Sequence, residues 1–251
     1  MKQTISQSPG DFSVEEREAV YRAIFERRDV RRDFLSDSIP EDILQRLLLA
    51  SHHAGSVGFM QPWDFLVIRH PETKQAVKDL FLQANEEAAL RYEGPKADLY
   101  RGLKLEGIQE APVNICVTCS RDRGGPAVLG RATAPETDLY STCCAIQNLW
   151  LAARAEGIGV GWVSILEYDL LKKVLGIPQD VWVVAYLCVG YVKGFAHQPD
   201  LEKAGWRKRM PLEELVHYER WGTRSSDKSG PSGPDPKTNK PSILSLESTG
   251  E

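Results

Sequence analysis

The chain switches repeatedly between helical and strand-like spacing of apolar residues. Ser13 followed by Glu16 is a capping-box pattern, and Val20, Ile24 and Phe25 follow it, so a helix is predicted that delivers the segment ERRDVRRDF at its C-terminal end. A second helix is predicted from about Pro40, a favourable first-turn residue, through Ile43, Leu44, Leu47 and Leu48 to His52 and His53. The loop GSVGFMQPW comes next. Asp64 to Ile68 reads as a strand, Pro71 opens a long polar helix through about Tyr92, and Val113 to Cys119 reads as another strand. From Asp138 to Glu156 apolar side chains lie almost all round a helix ended by Gly157, which predicts burial on most faces, in a domain centre or a subunit interface. Strands are expected at Ile158–Ile165 and Val181–Val189, separated by a short helix, Tyr168–Leu175, that stops at Gly176 before Pro178. Strands alternating with helices imply an α/β or α+β sandwich with one sheet inside helices.

The two ends break this pattern. Residues 1–12 read as a flexible leader, 13–222 as a single domain, and 223–251, with RSSDKSGPSGPDPKTNKPS, as a disordered tail too polar and too rich in Pro, Gly and Ser to pack. No internal repeat is visible. At 251 residues and 42% hydrophobic content the chain can bury a sizeable core. The net charge of -4 gives no general basic field, which argues against nucleic acid or an anionic membrane as partner. No apolar run approaches the roughly 20 residues of a membrane span, and the N-terminus lacks a secretory apolar stretch, so a cytoplasmic protein is expected. Five cysteines, an odd number, argue for reduced thiols in packed elements. Cys116 and Cys119 form a CxxC, but residues three apart on a strand point to opposite faces, which disfavours a zinc or redox pair.

Four segments could carry chemistry. Arg27, Arg28, Arg31 and Arg32 gather where a helix ends, and Arg207, Lys208 and Arg209 follow Trp206; each cluster is either an anion grip or a solvated charged face. Gly157, Gly159 and Gly161 alternate between a helix and a strand, the reverse of the strand-to-helix order that a dinucleotide loop needs. They either let a flat ring approach backbone amides or serve close packing. In SVGFMQPW, Gln61 and Trp63 could hydrogen-bond and wall a planar ligand, or the loop could simply pack on the core. His52 and His53 face different directions on their helix and lack acidic or cysteine partners at ligand spacing, so no metal is expected.

Together, RRDVR, a turn ending in QPW, GIGVGWVS and WRKRMPLEELV resemble the nitroreductase-like flavoprotein family over residues 12–221. Within it, FERRDVRRDF, SVGFMQPW, LKLEGIQEAPVNICVTCSRDRGG, DLYST, AIQNLWLAARAEGIGVGWVSI and GWRKRMPLEELV are most similar to the 5,6-dimethylbenzimidazole synthases, the BluB-type flavin destructases. The resemblance implies an α+β three-layer sandwich with a central, mostly antiparallel sheet flanked by helices, and a homodimer with FMN at the interface. It implies an oxygen-dependent oxidoreductase that converts reduced FMN and O2 to 5,6-dimethylbenzimidazole, the lower ligand of vitamin B12, and erythrose 4-phosphate. Arg27, Arg28 and Arg31 would hold the flavin phosphate and ring, Arg207 and Arg209 would complete the phosphate grip, and Val30, His52, Ser56, Gly58, Met60, Gln61, Pro62, Gly159, Gly161 and Trp162 would line the cofactor.

By the same likeness Asp29, where ordinary nitroreductases commonly carry serine, and Ser164 would take part in catalysis. Among three arginines the pKa of Asp29 is expected to fall by roughly 1–3 units, leaving a carboxylate that accepts protons, and the Ser164 hydroxyl could donate to the flavin edge. With no dinucleotide fingerprint, reduced FMN is expected from a separate NAD(P)H-dependent flavin reductase. Two rivals stand beside this expectation: an FMN-dependent nitroreductase or quinone reductase that preserves its flavin, and a non-catalytic flavin-binding protein. The chain departs from the usual synthase turn at Gly55, in place of proline, and at Asp64, in place of asparagine. Gly55 should loosen the turn, and Asp64 could bring a charge to the ligand pocket.

Overall fold

A computed structural model describes residues 10–224 and divides the chain into two compact units, one through Arg207 and one from Lys208. The expected leader and tail lie largely outside the described residues. The elements are α1 (Val14–Glu26), α2 (Glu41–His52), β1 (Trp63–Ile68), α3 (Pro71–Ala89), α4 (Gly94–Arg101), β2 (Val113–Cys119), α5 (Thr137–Ala155), β3 (Ile158–Val163), α6 (Tyr168–Leu175), β4 (Trp182–Tyr191) and α7 (Asp200–Lys203), with 3-10 turns at Val57–Phe59 and Leu212–Glu214. Local chemistry sets several limits. Glu16 N–H donates to Ser13 Oγ at 3.2 Å and Ser13 N–H to Glu16 Oε2 at 2.7 Å, closing the capping box of α1. Gly176, left-handed at φ 67°, ends α6 as the sequence predicts.

The four strands form one antiparallel sheet in the order β1-β2-β4-β3. That settles the open choice of fold class as α+β. Strand alternation sends Val113, Ile115 and Val117 of β2 to one face, where Leu44, Leu47, Ile146 and Leu149 of α2 and α5 cover them. Cys116 faces the other side with Val77, Phe81 and Leu171, under α3 and α6. Helices on both faces explain why every residue of β2 is buried. No helix among the described residues is long and apolar enough to cross a membrane.

Four differences from expectation have physical causes. The polar segment Gly94–Arg101 carries too few apolar positions to read as a helix; it forms because Tyr100 stacks on Tyr92 at 4.9 Å and its hydroxyl donates to Asn85 Oδ1 at 2.8 Å. Within the single chain helix α5 buries one stripe, including Ser141, Ala145, Ile146 and Leu149, where it meets α2 and the sheet, and Tyr140 is 61% exposed, so of the two expected settings the domain centre is not met and the subunit interface stands as an expectation. Cys143 and Cys144 lie on its exposed side, so the packed-thiol expectation holds for Cys116, Cys119 and Cys188 but not for this pair. Finally, β3 stops at Val163, which leaves Ser164 one residue beyond the strand and exposed.

Candidate active site

The first group of site residues forms where the chain leaves α1 and runs beside β3. Val30 N–H donates to Val160 O at 3.0 Å, and Asp29 bridges Val160 in parallel. Glycines make this approach possible: a Cβ on Gly161 would stand 1.9 Å from Val30 O, and one on Gly159 would meet Val192 Cγ1 at 2.6 Å and Val30 Cγ2 at 3.0 Å. The close-packing reading of the glycine run is met here, against Asp29–Val30.

This approach places the Asp29 carboxylate against the β3 backbone. Its Oδ1 accepts the Trp162 N–H at 2.9 Å, and its Oδ2 is ion-paired with Arg31. Burial raises the Asp29 pKa, and this outweighs the lowering by the Arg31 charge, the Trp162 N–H and the Arg27 charge. The expected depression is therefore corrected: the arginines are present, but taking the carboxyl out of water favours its neutral form more strongly. Asp29 is also one half of an ion pair with Arg31, which gives a purely buttressing role a physical basis.

Around it, the Arg27 guanidinium lies over the Trp150 ring, 4.6 Å from its centroid, and Trp150 Nε1 donates to Arg28 O at 3.2 Å. Arg28 donates to the carbonyl oxygens of Phe25 at 2.7 Å, Arg27 at 2.8 Å and His197 at 2.5 Å. Arg31 is only 14% exposed, and its Nε is buried without a hydrogen-bond partner among the described residues. Towards the end of the first unit, Arg32 pairs with Asp200 at 3.8 Å, and Trp206 packs edge-on to Tyr92 at 5.3 Å. Arg207 follows at the surface as the last residue of the first unit; Arg209, also exposed, belongs to the second.

The second group lies between α2 and β1. The turn there is left-handed at Gly58 (φ 58°), Phe59 (φ 53°) and Gln61 (φ 45°). Side chains larger than hydrogen are excluded at Gly58, where a Cβ would meet Val128 Cγ1 at 2.6 Å and Leu129 O at 2.8 Å. Ser56 Oγ accepts the Gln61 N–H at 3.2 Å, and Met60 and Pro62 are buried. Trp63 Nε1 donates to His52 Nδ1 at 3.2 Å, which leaves the ring proton of a neutral His52 on Nε2. A pocket of about 500 Å³ lies beside this turn, and its lining includes His52, Met60, Gln61, Trp63, Asp64 and Arg123. Arg123 was not singled out from the sequence, although the repeated charges of SRDRGG were visible.

The groups stand on opposite edges of the sheet, since β1 and β3 are its outer strands. With strands spaced about 4.8 Å apart, β1 and β3 are separated by roughly 14 Å. Arg27, Arg28, Asp29, Val30, Arg31, Gly159, Gly161 and Trp162 are brought together; so, separately, are His52, Ser56, Gly58, Met60, Gln61 and Pro62. Ser164 follows two residues after Trp162, on the side of the first group.

Both groups fall within residues 24–191, which match the profile of the Nitroreductase family. The chain belongs to the nitroreductase family. As a nitroreductase-family member it is an oxidoreductase, with a flavin as the family's cofactor. It is 42% identical over 190 residues to the 5,6-dimethylbenzimidazole synthase of Rhodospirillum rubrum, spanning 75% of this chain and 90% of that protein. It is 38% identical over 203 residues to a protein of the same name from Rhodobacter capsulatus, spanning 81% of this chain and 98% of the relative. Among solved structures, a BluB-like flavoprotein from Clostridium difficile 630 matches with a TM-score of 0.62 at 19% identity, over 80% of this chain and 99% of that one. Iodotyrosine deiodinase bound to FMN and 3-iodo-L-tyrosine matches with a TM-score of 0.64 at 19% identity, over 80% of this chain and 100% of that one. These two likenesses show the fold.

Proposed function

We propose that this chain is an aerobic 5,6-dimethylbenzimidazole synthase that fragments reduced FMN with O2, giving the benzimidazole and erythrose 4-phosphate. The observation that carries this reading is Asp29, an acid held against the β3 backbone by the Trp162 N–H and Arg31, with its proton affinity raised by burial. A carboxyl so tuned can take and return protons nearer neutrality than an ordinary aspartate, which a ring fragmentation with several proton movements requires. The relatives named for this activity support the same reading.

The residues suit a flavin phosphate and ring. Arg31 Nε, buried and without a hydrogen-bond partner among the described residues, is a donor that a bound phosphate would satisfy, and Arg27 adds a fixed cation over Trp150. Arg28, tied to three carbonyls, holds the shape of the segment that presents its neighbours. Arg207, in the same unit, completes the phosphate grip. Bound reduced FMN supplies the electrons that O2 consumes and the carbon skeleton of the product. Because the arginine group and the Gly58–Pro62 turn occupy opposite sheet edges, two copies of the chain complete each site, the turn of one facing the arginines of the other. Ser56, Met60, Gln61 and His52 then wall the ring, Asp29 accepts protons, and Ser164, exposed beside the first group, donates one. Reduced FMN comes from a separate NAD(P)H-dependent reductase in the cytoplasm.

A second reading has one observation in its favour. The Asp29–Arg31 ion pair would make Asp29 a buttress in an FMN-dependent NAD(P)H nitroreductase or quinone reductase that returns its flavin intact. Replacing the acid separates the two. Asp29→Asn is expected to keep its FMN dissociation constant within about threefold of wild type while benzimidazole formation falls by on the order of 100-fold, the lower range for loss of an acid–base group. Ser164→Ala should also retain FMN and lose product. Wild-type product yields in both variants would remove their assigned roles.

A further inference from the structure

The segment SRDRGG after β2 has no part in the function proposed above, yet it grips four consecutive residues of the strained turn. Ser120 N–H donates to Pro62 O at 2.8 Å. Arg123 Nη1 donates to Gln61 O at 3.1 Å and to Trp63 O at 2.8 Å. Arg123 Nη2 donates to both Asp64 carboxylate oxygens, at 2.8 and 2.7 Å, and Ser120 Oγ donates to Asp64 Oδ2 at 3.2 Å. Gly124 and Gly125, left-handed at φ 85° and 79°, turn the chain away immediately after Arg123.

A grip of this kind meets a specific need. Left-handed backbone at Phe59 and Gln61 is unfavourable for residues with side chains and persists only where surrounding contacts fix it. Pro62 has no N–H with which the turn could anchor itself, so its hold at this point comes through carbonyls, and carbonyls need donors from outside. The planar fork of one guanidinium reaches the carbonyls on both sides of Pro62 while its other nitrogen is held by Asp64. The Asp64 carboxylate is 53% exposed and Arg123 38% exposed, so their ion pair is screened by water and adds little by itself. The part-buried carbonyl bonds carry the effect.

We propose that Arg123 is a positioning residue for flavin binding: it acts through the Gln61 and Trp63 carbonyls to hold the Gly58–Trp63 turn in the shape that receives the ring. This rests on the flavin reading of the turn given above. It also gives Asp64 a place, as the anchor that orients Arg123 rather than a stray charge facing the ligand.

The test uses the full-length chain freed of flavin, with Arg123→Ala, Arg123→Lys and Asp64→Asn variants, and reads amide hydrogen exchange together with an FMN fluorescence titration. Arg123→Ala is expected to speed exchange at Phe59, Met60 and Gln61 and to weaken FMN binding, each by about tenfold, the scale of one or two charge-assisted bonds, with exchange at Ile115–Val117 unchanged. Arg123→Lys, lacking the fork, should recover only part of both effects, and Asp64→Asn should stay within about threefold of wild type in both. Unchanged turn exchange in Arg123→Ala would overturn the proposal. So would faster exchange with wild-type FMN affinity, which would leave the flavin site itself standing. A lysine that restores affinity without restoring protection would also overturn it, because the charge alone would then be the active feature. A wild-type chain that binds no FMN would overturn both this proposal and the function it rests on, whatever the exchange shows.

Discussion

The two edges of the sheet prepare their residues by opposite means. Along β3 the backbone lies extended and close, glycine permits the contact, and the functional character resides in charged side chains: Asp29, Arg31 and Arg27. Beside β1 the backbone itself is unusual, left-handed at Gly58, Phe59 and Gln61, and the charged residues that line the pocket there, Asp64 and Arg123, are bound to each other and to the turn's carbonyls. The difference teaches where each property can be built. A raised proton affinity needs an acid pressed against a stiff, dehydrating surface, which a strand edge supplies. A surface that receives a planar ligand needs backbone bent out of regular structure, which a turn supplies when neighbours hold it.

Removing the close approach at β3 is the strongest way to break this contrast. Gly161→Ala places a methyl where Val30 O lies 1.9 Å away, so the Asp29–Val30 segment must move. Destabilisation of about 1–3 kcal/mol, typical of overpacking, is expected by calorimetry, together with loss of product on the order of 100-fold. Gly55→Ala is the contrasting control: no atom lies within 4 Å of its new Cβ, and stability and activity should both stay at wild-type levels. A Gly161→Ala chain with wild-type melting and turnover would mean that the strand does not position the acid.

The acid–base half of the contrast is sharpened by a pH profile. Burial makes Asp29 hold its proton at higher pH than an ordinary aspartate. A base works only when unprotonated, so product formation should rise with pH along an acid limb displaced upward from the usual aspartate range. That limb should be missing from the residual rate of Asp29→Asn. An acid limb at or below the ordinary aspartate range would contradict the burial of the carboxyl. A smaller effect is expected at the edge of the anion grip: Arg207→Ala should raise the FMN dissociation constant by about tenfold, the value of one charge-assisted contact to phosphate. An unchanged constant would remove Arg207 from the grip.

Most of the fold was legible because its signals are local. The capping box at Ser13, the run VNICVTC and the stop at Gly176 each name their element directly, and the structure shows all three where the pattern places them. Two features were not legible for want of a local signal. Helix α4 depends on Tyr100 packing against Tyr92, a pairing that hydrophobic periodicity does not report. The raised proton affinity of Asp29 depends on how closely residues 29–30 approach β3, whereas sequence shows only the arginines beside it and so suggests the opposite shift. The glycine run held the relevant clue in ambiguous form, since the same absence of side chains suits a flat ring or a neighbouring strand. At Asp64 the sequence raised the right question, a charge beside the pocket, but the answering Arg123 lies 59 residues away.

The fate of the flavin tests the central claim most directly. Reduced FMN is mixed with the protein in air, absorbance is followed to completion, and the products are identified by mass spectrometry. The account predicts permanent loss of the flavin spectrum with 5,6-dimethylbenzimidazole formed in proportion to the FMN consumed. Quantitative return of oxidised FMN, with no benzimidazole, would contradict it.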